Sequence, residues 1–147
     1  MTKPTPAPRP AIVNIAFWLV LAGSVLLLAG GLLGLSSAIG TPRGAFSTEL
    51  SDSEVRNIVI MRGGISVLLL ITGLVLSFLA GRARSGDLRF RRAMVWLSVV
   101  LVALVFVLAL LAPFAVAPLA LFGVVPVAIG ATLFMRPAAS DWFLEVQ

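Results

Sequence analysis

Glu49, Asp52 and Glu54 fall within one short stretch and are the chain's nearest approach to a catalytic or cation-binding cluster. Neighbouring carboxylates can work as general acid and base, or hold a hard cation through oxygen. A plainer use is available here. Ser51, Asp52, Ser53 and Glu54 spell a capping box, with Ser51 at the N-cap and Glu54 reaching back to its amide, while Leu50 and Val55 stand at the staple positions. No histidine accompanies the acids, which removes the commonest general base and metal ligand. Cysteine and tyrosine are absent too, so no thiolate, disulfide or phenol is on offer. The sequence therefore points to a protein that is not an enzyme and holds no metal or cofactor.

The second group with chemical reach is the run Arg82, Arg84, Arg89, Arg91 and Arg92. Guanidinium groups suit phosphate, and each basic residue near an anionic membrane surface contributes about 1 kcal/mol. The run is expected to sit among lipid headgroups, where it fixes topology and contacts anionic lipid or a cytoplasmic partner. Ser85 and Gly86 should end one helix, and Asp87 should N-cap the next. The formal net charge of +5 does not mark a nucleic-acid binder. Its charges flank apolar segments and form no stripe on a soluble face.

Those segments set the class. At 60% hydrophobic and 12% charged residues, the chain is too apolar for an ordinary soluble surface. All eleven basic and six acidic residues lie outside four long uncharged stretches. Each stretch approaches the roughly 20 residues a helix needs to cross a bilayer. The expected spans are 12–36, 64–81, 93–112 and 116–135, with Pro113 and Pro118 bracketing a turn between the last two. The reading is an all-α four-helix transmembrane bundle. Residues 1–10 form a proline-rich cytoplasmic tail, 11–136 the membrane domain, and 137–147 a C-terminal cytoplasmic tail. The first apolar stretch, 11–39, is far longer than a signal-peptide core and reads as an anchor. A helix starting near Asp52 should extend the second span outside the cytoplasm, with Gly63 and Gly64 able to bend it.

Orientation follows from where the cations lie. Lys3, Arg9, Arg82, Arg84, Arg89, Arg91, Arg92 and Arg136 fall on one side, against Arg43, Arg56 and Arg62 on the other. Both termini are thus expected in the cytoplasm. Trp18, Trp96 and Trp142 fall near the same face, as an interfacial aromatic belt would.

Within the spans, Gly30, Gly34 and Ala38, and separately Gly73, Ser77 and Gly81, recur every four residues. Such ladders let helix backbones approach, whether the partner is a helix of this chain, a second copy or another protein. Pro126 is expected to kink the last helix. Serines and threonines in the spans can bond their own backbone, and Asn14 fits a solvated helix end. The stretch Ser24 to Leu28 repeats as Ser66 to Leu70, with Gly31 and Gly73 in register. In antiparallel spans this would be an inverted repeat, although chance is the simpler source in a chain so rich in Leu, Val, Ala and Gly.

The stretch from Arg9 and Pro10 to Ala16, Phe17 and Trp18, the loop 84–93 and the preference for Arg over Lys resemble small multi-pass membrane proteins of actinobacteria. That group is of uncharacterised function, so the resemblance implies a plasma-membrane location and no particular chemistry. The expected role is an accessory or scaffold component, with membrane lipid and either a larger membrane protein or a second copy as partners. The alternative is a small dimeric transporter or lipid-carrier flippase for apolar cargo.

Overall fold

The computed structural model describes residues 10–111, 118–137, 139, 141 and 142. These residues contain four helices long and apolar enough to span a membrane, and no strand. They are α1 (Ala11–Gly40), α2 (Asp52–Arg84), α3 (Leu88–Leu111) and α4 (Pro118–Met135). The tail 1–9 and the turn expected over 113–117 lie outside the described residues.

α2 and α3 overrun the uncharged stretches because a hydrogen-bonded ladder does not stop where hydropathy falls. At 1.5 Å per residue, the 33 residues of α2 extend about 50 Å, well beyond a hydrocarbon core of roughly 30 Å. Its charged first turns are fixed locally. The Ser51 hydroxyl accepts the Glu54 amide while the Glu54 carboxylate accepts the Ser51 amide at 2.8 Å, so the capping box is formed. At the other end Gly86, at φ 95°, supplies the left-handed residue that turns the chain from α2 into α3. The Asp87 carboxylate then accepts the Arg89 amide at 2.9 Å. The last helix, α4, runs through Pro126 as a single element.

Each helix packs on neighbours that run antiparallel to it. α1 lies between α2 and α4, and α3 closes the ring by touching α2 and α4 more sparsely. The core runs from Val13, Ala16 and Val20 through Leu27, Leu76 and Val127 to Met94 and Phe134. Ala139 and Trp142 belong to it as well, at 0% and 6% exposure. These parts of the expected cytoplasmic tail therefore fold against the end of the bundle.

Candidate functional site

Two small-residue seams hold α1, and they follow a seven-residue step. On one face, Ser24, Gly31 and Ala38 of α1 are buried, as are Ser66, Gly73 and Ala80 of α2. A Cβ on Gly31 would lie 2.8 Å from Leu70 Cγ and 2.9 Å from the Ser66 carbonyl. A Cβ on Gly73 would lie 3.0 Å from Leu28 Cγ and 3.1 Å from the Ser24 carbonyl. The two contacts are reciprocal, so the repeated Ser, Leu and Gly residues occupy equivalent places about a local two-fold. Ser24 and Ser66 even bond backward alike, to Val20 O at 2.7 Å and Arg62 O at 2.8 Å.

The other face of α1 seats α4. A Cβ on Gly23 would come within 2.5 Å of Val127 Cγ2 and 2.6 Å of the Gly123 carbonyl. One on Gly130 would meet Val20 Cγ2 at 2.7 Å and the Ala16 carbonyl at 2.9 Å. Backbones can approach this closely only where side chains are missing, and in lipid such contacts replace the absent hydrophobic drive between helices.

The four-step ladders read from the sequence are distributed differently. Gly30 faces Ala120 of α4, whereas Gly34 faces the Ser66 side chain of α2. Ala38 lies beside Gly63, and Gly73 sits in the α1–α2 seam. Ser77 is half-buried and donates to its own Gly73 carbonyl at 2.9 Å. Gly81 is exposed, and a Cβ there would meet nothing within 4 Å. A four-residue step drifts around the helix, so one ladder served two neighbours. Gly23, Gly123 and Gly130 lie outside those ladders, and Gly31 enters only through the repeat. The spacing of seven between Gly23 and Gly30, and between Gly123 and Gly130, was the signal for them.

Arginines gather at the end of the bundle where α2 and α4 finish and α3 begins, and they divide by role. The Arg84 guanidinium lies 4.6 Å from the Phe17 ring centroid, and its buried Nε has no hydrogen-bond partner among the described residues. Arg91 Nε donates to the Phe134 carbonyl at 3.0 Å, tying α3 to the end of α4. Arg82 stands 5.7 Å from the Phe78 ring and 5.8 Å from the Phe90 ring. Arg89 and Arg92 are exposed. Rather than five equivalent headgroup contacts, Arg84 and Arg91 help to close the bundle end.

The acids at the far end do not converge. Asp52 accepts from Arg43 Nε at 3.0 Å, Glu54 is engaged in the cap, and Glu49 is exposed. Arg43 also reaches the Leu50 carbonyl, which pins the connection to the start of α2. Asn14 is exposed.

Room is left in the seam between α3 and α4. α3 has no glycine, so its Val, Leu and Phe side chains hold it off its neighbour. A groove of about 410 Å³ results, lined by Ser98, Val99, Val102, Phe106, Ala131 and Met135 among others. A further 200 Å³ continues it past Val102 and Phe106 toward Leu121 and Val124. No protein-family model, curated protein or solved structure matches this chain.

Proposed function

We propose that this chain is a non-catalytic integral membrane protein that serves as an accessory or scaffold component, packing in the membrane plane against a larger protein or a second copy. The observation that carries this reading is on the outer face of α2. Gly64 and Gly81 have nothing within 4 Å of a would-be Cβ, and Val67, Ile71, Leu74 and Phe78 are exposed between them at three- and four-residue steps. Glycine costs a helix about 1 kcal/mol relative to alanine, and at Gly23, Gly30, Gly31, Gly73, Gly123 and Gly130 close packing accounts for it. Outward glycines at both ends of an apolar stripe suit a helix approaching from outside.

The test is extraction in mild detergent or a lipid nanodisc, followed by mass spectrometry of what co-purifies. A stoichiometric membrane partner, or a dimer, is expected from the native chain and lost from Gly81→Leu, which keeps the fold because nothing is displaced. An assembly unchanged by that substitution removes this face from the reading.

In this reading the arginine end of the bundle faces the cytoplasm, with both termini, at the plasma membrane. The chain lacks cysteine, so single cysteines are clean reporters. A cysteine in place of Ser85 should resist an impermeant thiol reagent in intact cells, while one in place of Ser47 should react. The reverse pattern inverts the topology. The second reading, a small dimeric transporter or flippase for apolar cargo, draws on the α3–α4 groove. The repeat lends it little support, because its two copies are packed to contact at Gly31 and Gly73 and leave no space for cargo.

A further inference from the structure

We propose that the α3–α4 groove and two arginines at its mouth form a binding site for one anionic phospholipid, with an acyl chain in the groove and the phosphate on Arg92 and Arg136. Three observations converge on that occupant.

The first is the shape of the groove. Its α3 wall spans Ser98 to Phe106, about 12 Å along the axis at 1.5 Å per residue. Its volume of about 410 Å³ is within the roughly 300–1,000 Å³ typical of sites for small ligands.

The second is the lining. It is apolar apart from Ser98 and Thr132, whose hydroxyls donate to Met94 O at 2.8 Å and Ile129 O at 2.7 Å in their own helices. No side-chain donor is left for a polar ligand, which favours an alkyl chain.

The third is charge at one end only. Arg92 is two helical turns before Val99 on the same face of α3, and Phe106 is two turns further on. Arg136 directly follows Met135, the last residue of α4 and part of the groove's lining. Both arginines are exposed, and neither has an ion pair among the described residues, where the single pair is Arg43–Asp52 at the opposite end. The described acids nearby are Asp87, engaged with the Arg89 amide, and Asp141, which is exposed. Arg91 holds α3 and α4 together beside the mouth, so the guanidiniums of Arg92 and Arg136 start from a fixed frame. Two guanidiniums near the end of an apolar groove match a phosphate carrying an acyl chain, since Arg binds phosphate through paired N–H donors.

The test is native mass spectrometry of the full chain released from detergent, titrated with phosphatidylglycerol, phosphatidylcholine or inorganic phosphate. One phosphatidylglycerol is expected to bind at least tenfold more tightly than phosphatidylcholine, with no retained inorganic phosphate. The double variant Arg92→Gln with Arg136→Gln should lose that preference, while Arg56→Gln with Arg82→Gln, a matched loss of two charges away from the groove, should keep it. Ala103→Leu, which fills the groove without touching charge, should weaken phosphatidylglycerol binding by a similar factor. Equal binding of the two lipids overturns the proposal, as does retention of free phosphate at the same arginines. So does an Ala103→Leu chain that binds phosphatidylglycerol like the native one, or that changes its dimer content instead.

Discussion

Gly23→Leu is expected to destabilise the bundle by about 2 kcal/mol or more, the largest effect of any single glycine change outside a turn. The first added atom already meets Val127 Cγ2 at 2.5 Å and the Gly123 carbonyl at 2.6 Å. A side chain can rotate away from such a contact, but a carbonyl within a helix cannot, so α1 and α4 must separate along the seam. Overpacking of this kind costs about 1–3 kcal/mol and occasionally more, and a backbone neighbour places it at the upper end. The helix-propensity gain on losing glycine, about 1 kcal/mol, offsets part of it. Gly64→Leu provides the control, because nothing lies within 4 Å of that position. Unfolding both variants by detergent titration in mixed micelles measures the difference. If Gly23→Leu unfolds at the same point as Gly64→Leu, the α1–α4 seam is not where the bundle is held.

Trp142→Ala is expected to cost about 3–5 kcal/mol, the usual range for removing a large aromatic from a core. Trp142 is 6% exposed and belongs to the same buried core as Ala139, Val13 and Phe17. Trp18 and Trp96, at 56% and 70% exposure, should tolerate alanine with little loss of stability and act as interfacial anchors. Single-tryptophan variants separate the two behaviours. Acrylamide should quench the fluorescence of Trp18 and Trp96 and leave that of Trp142 largely protected. Strong quenching of Trp142, together with an unaltered unfolding midpoint for Trp142→Ala, would show that the C-terminal segment does not close the bundle.

The tryptophans show where the sequence was readable and where it was not. All three sit near one end of the spans, and their types alone place them in an interfacial belt. Which of them turns inward depends on residues 139 and 142 folding back over the bundle end, and no local periodicity announces that. The arginines behave similarly. Their gathering at one end is visible in the sequence, but the Arg84 contact with Phe17 and the Arg91 bond to Phe134 cross between helices far apart in the chain. The capping box at Ser51 and Glu54 is the opposite case. Everything it needs lies within four residues, and it forms as the sequence spells it.

By itself the sequence determined the number of membrane-length helices, their order along the chain and the turn from α2 into α3. Those features follow from run length, charge position and caps, which are local or set by the thickness of the bilayer. The tertiary structure alone decided which face of each helix meets which neighbour. α1 is apolar all round, so hydropathy cannot separate its buried faces from those left toward lipid. Side-chain size and seven-residue spacing make that choice, by admitting α2 and α4 to contact distance where Gly, Ser and Ala line up. The same rule, applied to a glycine-free α3, leaves a seam with room for a ligand.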